Sequence, residues 1–191
     1  TFKKEYNSWD GIGVEPSKWA SEYARSQLKI NTRTGTLEDN IKELGSDYDA
    51  VVAWDVLEHL NDPSAFLIQI NSVMKLNGIF CFSTLDINNW FPKLMGKHWP
   101  WLMEMHLFYY KTDTTVQLLN KAGFNILRTE KYIHYVSIHY LVGKIIAILP
   151  DWLEKPLNIA RSVMPQKIMI PISFGDIKLY ICEKEKPIGS M

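Results

Sequence analysis

The stretch that decides the fold spans residues 48–63 and reads YDAVVAWDVLEHLNDP. Its almost continuous apolar run at 49–54 predicts a strand that is covered on both faces. A turn begins at Asp55, and Asp62-Pro63 opens the next helix. The order of strand, polar turn and helix is typical of an α/β sheet, in which ligands bind beyond the carboxyl ends of the strands.

Outward from this stretch, the chain alternates between short apolar strands and helices. The further predicted strands lie at residues 11–15, 31–34, 79–84, 124–132 and 168–183. The predicted helices lie at 1–7, at 17–29, after the turn at 35–39, at 62–76, at 112–122 and at 138–163, the last one broken in two at Pro150-Asp151. This alternation predicts an α/β fold, doubly wound, with a parallel sheet and helices on both faces.

Length and composition indicate one domain that spans residues 1–191. The chain is 47% apolar and 22% charged, which excludes a disordered or low-complexity protein. Lysine plus arginine equals aspartate plus glutamate at 21 each, so no nucleic-acid partner is expected. The two cysteines permit at most one disulfide, and no signal peptide and no apolar run of about 20 residues is visible, which favours a cytoplasmic protein without a transmembrane segment.

Two short motifs place acids where a nucleotide-like ligand would bind. Glu15 ends the strand in residues 13–17 (GVEPS), where a carboxylate can accept hydrogen bonds from both hydroxyls of a ribose. Residues 35–39 (GTLED) follow the next strand and can present a backbone N–H and a carboxylate to an adenine edge. Both acids can equally serve as helix caps that stabilise the helix dipole, and the motifs alone leave this alternative open.

Taken together, these motifs resemble the class I S-adenosylmethionine (SAM) methyltransferases of the branch that carries a DVLEH sequence. Residues 55–59 match the motif after the fourth strand, and GVEPS and GTLED match the motifs after the second and third strands. Trp99-Pro100, the stretch HLFYY at 106–110 and the helix that ends in AGF at 122–124 agree as well, so the resemblance covers roughly residues 1–132.

The resemblance implies a Rossmann-like sheet with an antiparallel closing strand near residues 172–183. It also implies SAM as the cofactor, with the ribose on Glu15 and the methionine side along Trp54 and Asp55. The residues expected at the adenine edge are Thr36, Leu37 and Glu38.

One departure from the family concerns its first strand and the Gly-rich loop of the type DxGxGxG. Neither is found in the sequence, and Thr1 aligns immediately after that loop. The missing strand would lie between the strands that end at Glu15 and Trp54 and would leave two edges unpaired. We therefore expect a fragment or a protein whose first segment is supplied elsewhere, for example by strand exchange in a homo-oligomer, and weak SAM binding by the 191 residues alone.

His59 and His106 are the candidate catalytic residues, because an imidazole can take a proton from an acceptor near neutral pH. Asp55, Glu58 and His59 also resemble the acid-x-x-Glu-His metal cluster of ubiquinone-pathway O-methyltransferases. The first acid of that cluster is typically glutamate and here is aspartate, so we assign no metal ligand.

Two segments are candidates for covering an acceptor. Residues 87–110 hold seven aromatics and three methionines after the 79–84 strand, which favours a small, apolar or ring-bearing acceptor under a lid. Residues 137–165 are interpreted as a helical insertion, with contact to a membrane surface as the alternative.

The leading interpretation is an enzyme that moves a methyl group from SAM to an oxygen, nitrogen or carbon of a small molecule. The alternatives are a methyltransferase-like scaffold or subunit that does not bind SAM, and a nucleotide-sugar or dinucleotide enzyme on a similar sheet.

Overall fold

The computed structural model describes residues 9–146, 151–162, 165 and 168–185. Its strands are β1 (Gly13–Glu15), β2 (Thr32–Thr34), β3 (Tyr48–Ala53), β4 (Met74–Leu85), β5 (Phe124–Lys131), β6 (His134–Ser137), β7 (Met169–Ile172) and β8 (Ile177–Lys184). Its α-helices are α1 (Lys18–Ser26), α2 (Leu37–Leu44), α3 (Pro63–Val73), α4 (Trp90–Met95), α5 (Thr112–Lys121), α6 (Ile138–Ile146) and α7 (Asp151–Ser162), with 3₁₀ turns at Leu57–His59 and Gly96–His98. The helix predicted at 1–7 lies outside the described residues.

The main sheet confirms the predicted α/β class. Its strand order is β3-β4-β8-β5, with β3 parallel to β4 and with β8 antiparallel to both of its neighbours. Three of the four strands therefore run in one direction, and β8 is the predicted antiparallel closing strand. β1 and β2 form a separate parallel pair, and within the described residues neither β1 nor β3 has a strand on its other edge.

The expectation that residues 49–54 are covered on both faces is wrong. Val52 is 63% exposed and Trp54 is 48% exposed, although Ala53 between them is buried. The reason is that only one face of β3 is covered: Val51 and Ala53 pack against the core, and the alternate residues Val52 and Trp54 lie on the opposite face.

Helix capping explains where several helices begin. Ser17, Thr36 and Asp62 each accept a backbone N–H of the first turn that follows, and Thr36 and Asp39 form a reciprocal capping box. The helix predicted at 62–76 ends earlier, at Val73, because Met74 already begins β4. Asn77-Gly78 lies inside that strand and not at a helix end.

Two hydrophobic clusters hold the molecule together. The larger one joins β3, β4, β5 and β8 to α2, α3 and α5, with Phe80, Phe82, Phe124 and Tyr180 buried at its centre. The smaller one lies at the carboxyl end of β4, where Leu85, Trp99 and Ile177 are buried. The second cluster holds residues 87–110, called the aromatic segment below, beside the strand ends. This contact positions the candidate site.

The single strand predicted at 168–183 is wrong in one respect, since it is two strands in different sheets. β7 pairs antiparallel with β6, whereas β8 joins the main sheet after a turn in which Gly175 has a φ of 75°. The pairing of β6 with β7, which are separated in the sequence by α6 and α7, was not predicted. No helix in the described ranges has the length and apolar character that crossing a bilayer requires.

Candidate functional site

A small pocket of about 160 Å³ opens where β3 and β4 end. Its polar side is formed by the stretch after β3, and its apolar side by the aromatic segment and by the ends of β4 and the start of β8. The lining residues are Asp55, Glu58, His59, Leu85, Trp101, Met103, Met105, His106 and Ile177. The structure thus brings together three of the residues that the sequence predicted, namely Asp55, His59 and His106.

Asp55 is held in an unusual conformation by the neighbouring strand. Its φ is +50°, a region that few non-glycine residues adopt. The hydroxyl of Ser83 on β4 accepts the Asp55 N–H at 2.9 Å and donates to Asp55 Oδ1 at 2.7 Å. These two bonds stabilise the turn, and they direct the Asp55 carboxylate toward β4.

The two pocket histidines use the same ring nitrogen to bond to a backbone carbonyl. Nδ1 of His59 bonds to the carbonyl of Met105 at 3.0 Å, and Nδ1 of His106 bonds to the carbonyl of Trp101 at 2.7 Å. A carbonyl oxygen can only accept, so each Nδ1 carries a proton, and in the neutral form of such a ring the lone pair is on Nε2. The ring centroids lie 4.7 Å apart, with His106 buried and His59 exposed.

Glu58 is the site residue that the sequence analysis did not assign. Its side chain is 1% exposed, and Oε2 accepts a hydrogen bond from Thr84 at 3.2 Å. Burial raises the pKa of this carboxyl above its ordinary value, and the nearby Asp55 carboxylate acts in the same direction. The sequence signal for a role of Glu58 in the site was its position before His59 in DVLEH. Only its burial in the structure shows that the carboxylate faces inward.

The aromatic segment divides into a buried part and a pocket part. Trp99 and Tyr110 are core residues, so part of the aromatic content serves packing. The Trp99 indole donates to Asp176 at 2.8 Å, and the carbonyl of Glu58 accepts from the N–H groups of Leu107 and Phe108. These bonds attach residues 99–108 at both ends, and between them Trp101, Met103 and Met105 line the pocket.

The residues predicted to bind SAM lie at or just after strand ends, and most are outside this pocket. Glu15 ends β1, and its Oε1 accepts the N–H of Ser17 at 2.8 Å. Leu37 and Glu38 open α2, but the Thr36 hydroxyl is engaged with Asp39, which also lowers the Asp39 pKa. Trp54, 48% exposed, follows β3 of the main sheet, whereas Glu15 belongs to the separate β1–β2 pair.

The pocket also contains a set of side chains that could hold a metal ion. One potential ligand atom each from Glu58, His59 and His106 lies within 4.8 Å of the other two. The cluster noted in the family resemblance, from which no metal ligand was assigned, contains Asp55 in place of His106; here Oδ1 of Asp55 accepts from the Ser83 hydroxyl.

The sequence matches the family described as "Methyltransferase domain" over residues 2–129. Among curated proteins, it is 28% identical to the ubiquinone biosynthesis O-methyltransferase of Rickettsia typhi over 144 residues, which cover 64% of this chain and 57% of that protein. The protein of the same name from Rickettsia prowazekii is 26% identical over 164 residues, which cover 75% and 60%. The chain thus spans about three fifths of the length of these relatives.

Solved structures agree with the fold. A SAM-dependent methyltransferase from Archaeoglobus fulgidus superposes with a TM-score of 0.59 at 16% identity, covering 96% of this chain and 79% of that one. A SAM-dependent methyltransferase from Thermotoga maritima gives a TM-score of 0.57 at 19% identity, covering 92% and 72%. At such low identity the agreement concerns the Rossmann-like architecture alone.

Proposed function

Because the chain belongs to the SAM-dependent methyltransferase family, we propose that it transfers a methyl group to a small, apolar or ring-bearing acceptor. The observation that carries the proposal is the pocket beyond β3 and β4. It combines an apolar wall with the polar groups of Glu58, His59 and His106 at the edge of the sheet where this fold binds its ligands.

SAM, the cofactor of the family, supplies an electrophilic methyl group on a good leaving group when bound, so the protein chiefly has to align the reactants. In this proposal Glu15 would accept the ribose hydroxyls, and Leu37 and Glu38 would border the adenine. Trp54 and Asp55 follow β3 and would lie along the methionine side. Both the hydroxyl and the backbone N–H of Thr36 bond to Asp39 in the capping box, so neither group is free to bond to the adenine.

The acceptor would bind between the polar strand end and the aromatic segment. Trp101, Met103 and Met105 provide apolar and polarizable contacts that suit a ring, and they exclude water from it. His59 and His106 would take the proton of the acceptor atom through Nε2, because Nδ1 of each ring is bonded to a backbone carbonyl. Residues 87–110 would serve as the cover of the acceptor, and residues 137–165 are proposed as a helical insertion.

The test is SAM binding measured by titration calorimetry on a protein that also contains the family's first strand and Gly-rich loop, because weak binding is expected of residues 1–191 alone. In Glu15→Gln and Glu15→Ala proteins, loss of a charged hydrogen-bond acceptor is expected to weaken binding by about 1.5–3 kcal/mol, or roughly 10- to 150-fold. Glu22→Ala is the matched control, since Glu22 is an exposed glutamate on α1. Unchanged SAM affinity in both Glu15 variants would show that the ribose is bound elsewhere.

A further inference from the structure

We propose that Tyr132 and His134 form a second compartment of the acceptor site behind Trp101, and that Nε2 of His134 binds an oxygen substituent of the acceptor there. This inference rests on the proposed function for the class of acceptor, a ring-bearing molecule, and deepens it by naming a residue that selects among such rings. His134 belongs to β6, outside the motifs that carried the family resemblance, and the sequence analysis assigned it no role.

The first argument is a row of four rings that runs from the end of β3 to the pocket. The ring centroids of Trp54 and Tyr132 lie 6.5 Å apart, and those of Tyr132 and His134 lie 4.8 Å apart. His134 in turn stacks on Trp101, with 5.7 Å between the centroids and 23° between the planes. Trp54 lies on the side proposed for the methionine of SAM, and Trp101 lines the pocket. The two rings between them are therefore neighbours of the proposed acceptor.

The backbone holds these two rings against the wall of the pocket. The Tyr132 N–H donates to the carbonyl of Ile177 at 3.0 Å, and Ile177 is one of the lining residues. Tyr132 and Trp101 pack against the same small hydrophobic cluster at the carboxyl end of β4. His134 is paired with Ile172 of β7. The position of the imidazole is thus set by strand pairing and by packing on both sides.

The second argument is the enclosed ring nitrogen of His134. Among the residues that the structure describes, its Nε2 is buried and has no hydrogen-bond partner, whereas His59 and His106 each bond to a backbone carbonyl. An enclosed polar atom without a partner destabilises the fold, and a phenylalanine would make the same ring contacts without that cost. An oxygen substituent of a ligand would supply the partner. A hydroxyl does so for either tautomer of the ring, because it can both donate and accept.

The third argument is the volume of the pocket, which is about 160 Å³. A cavity of about 150 Å³ holds one benzene ring, so a ring that carries substituents needs more space than this pocket offers. Trp101 separates the pocket from the further space, since it lines the one and stacks on His134 at the other side. With the atom to be methylated at the polar side of the pocket, a substituent on the opposite side of the ring would extend toward His134.

Trp101 can open this compartment without a change of the main chain. Its carbonyl accepts from Nδ1 of His106 at 2.7 Å, which holds the backbone in place, whereas its side chain is only partly buried. Rotation of the indole about its side-chain bonds would uncover His134 to the pocket. The structure therefore corresponds to the closed form of the compartment, and the acceptor would take the place of the indole beside His134.

The experiment uses the same protein as the SAM titration, without SAM, and two probe ligands of nearly equal size. 4-Hydroxybenzyl alcohol and 4-ethylphenol share a phenol ring and differ at one position, where the first has a hydroxyl and the second a methyl group. Their dissociation constants are measured in NMR titrations that follow the tryptophan indole N–H resonances.

His134→Phe keeps a ring between Trp101 and Tyr132 and removes both nitrogens. It should weaken the binding of 4-hydroxybenzyl alcohol by about 3- to 10-fold, as expected for one hydrogen bond, and leave the affinity for 4-ethylphenol unchanged. His134→Gln keeps a hydrogen-bonding group and should retain part of the affinity for the alcohol. His98→Phe is the matched control at an exposed histidine of the aromatic segment and should change neither constant. Circular dichroism checks the fold of every variant, and His134→Leu is a second variant without ring nitrogens.

Equal weakening of both probes in the His134→Phe and His134→Leu proteins would show that His134 only supports the packing, and it would overturn the inference. An unchanged affinity for the alcohol, or the absence of binding of both probes to the unmodified protein, would overturn it as well. None of these results touches SAM binding, which the Glu15 titration decides separately. Conversely, a preference for the alcohol that depends on His134 in a protein without measurable SAM binding would support the compartment and refute the proposed methyl transfer.

Discussion

Replacing Asp176 by alanine should test whether the turn before β8 holds the acceptor cover in place. The Asp176 carboxylate is buried and accepts the Trp99 indole N–H at 2.8 Å, across 77 residues of sequence. Two further contacts join the same regions, because Asn89 donates to the carbonyl of Gly175 and Phe91 stacks on Phe174. The Asp176–Trp99 bond is the member of this set that is fully removed from water.

The magnitude follows from the chemistry of that bond. A hydrogen bond to a charged group contributes about 1.5–3 kcal/mol, and its loss leaves the Trp99 N–H buried without a partner. For a chain of this size, 1 kcal/mol corresponds to about 2–4 °C, so Asp176→Ala should lower the melting temperature by roughly 3–12 °C. Asp176→Asn keeps an oxygen that can accept the indole N–H, so its melting temperature should fall less than that of Asp176→Ala.

Urea unfolding followed by tryptophan fluorescence measures the change directly. Asp49→Ala is the matched control, since Asp49 forms an exposed ion pair with Lys75 and such pairs contribute little. Trp99→Phe removes the donor from the same bond, so the double variant with Asp176→Ala should lose less than the sum of the single variants. An Asp176→Ala protein as stable as Asp49→Ala, or fully additive losses, would refute the role given to this bond.

Two further predictions concern stability. Lys184 donates from Nζ to the carbonyls of Asn71 and Met74 at the end of α3, so Lys184→Met should lower the free energy of unfolding by about 1–3 kcal/mol; an unchanged urea midpoint would contradict this. Hydrogen bonds from Thr36 lower the Asp39 pKa, so this carboxylate stabilises the fold above its unfolded pKa, and that contribution is lost as the pH falls through its folded pKa. Asp39→Asn should therefore destabilise α2 at neutral pH and lose less stability than the unmodified protein below about pH 4. Equal loss of stability on acidification in the variant and the unmodified protein would contradict this.

Local features of the sequence predicted most of the elements. Apolar runs located β1, β3, β4 and the closing strand β8, because strand formation follows from residues that are neighbours in the chain. Ser17, Thr36 and Asp62 marked helix starts, because a cap bonds to the turn that follows it. The family motifs depend on the same local order, and so they too could be recognised from sequence.

Contacts between distant parts of the chain could not be predicted in this way. β6 pairs with β7 across α6 and α7, and no local pattern indicates which strand His134–Ser137 will join. The exposure of Val52 likewise depends on what covers β3 and not on its apolar neighbours. The closing stretch at 168–183 was mistaken for one strand for the same reason, since its apolar pattern does not reveal that its halves belong to different sheets.

The candidate site shows most clearly which features follow from the local sequence and which depend on contacts between distant residues. The sequence by itself determined that Asp55, Glu58 and His59 follow a strand end, where this class of fold binds its ligands, since these residues lie within one short turn. Only the tertiary structure decided that His106 joins Glu58 and His59, and that Asp55 bonds to Ser83 instead. The bond between His59 and the Met105 carbonyl spans 46 residues, and it exists because Trp99 and Tyr110 pack into the core and bring the intervening segment back over the strand ends.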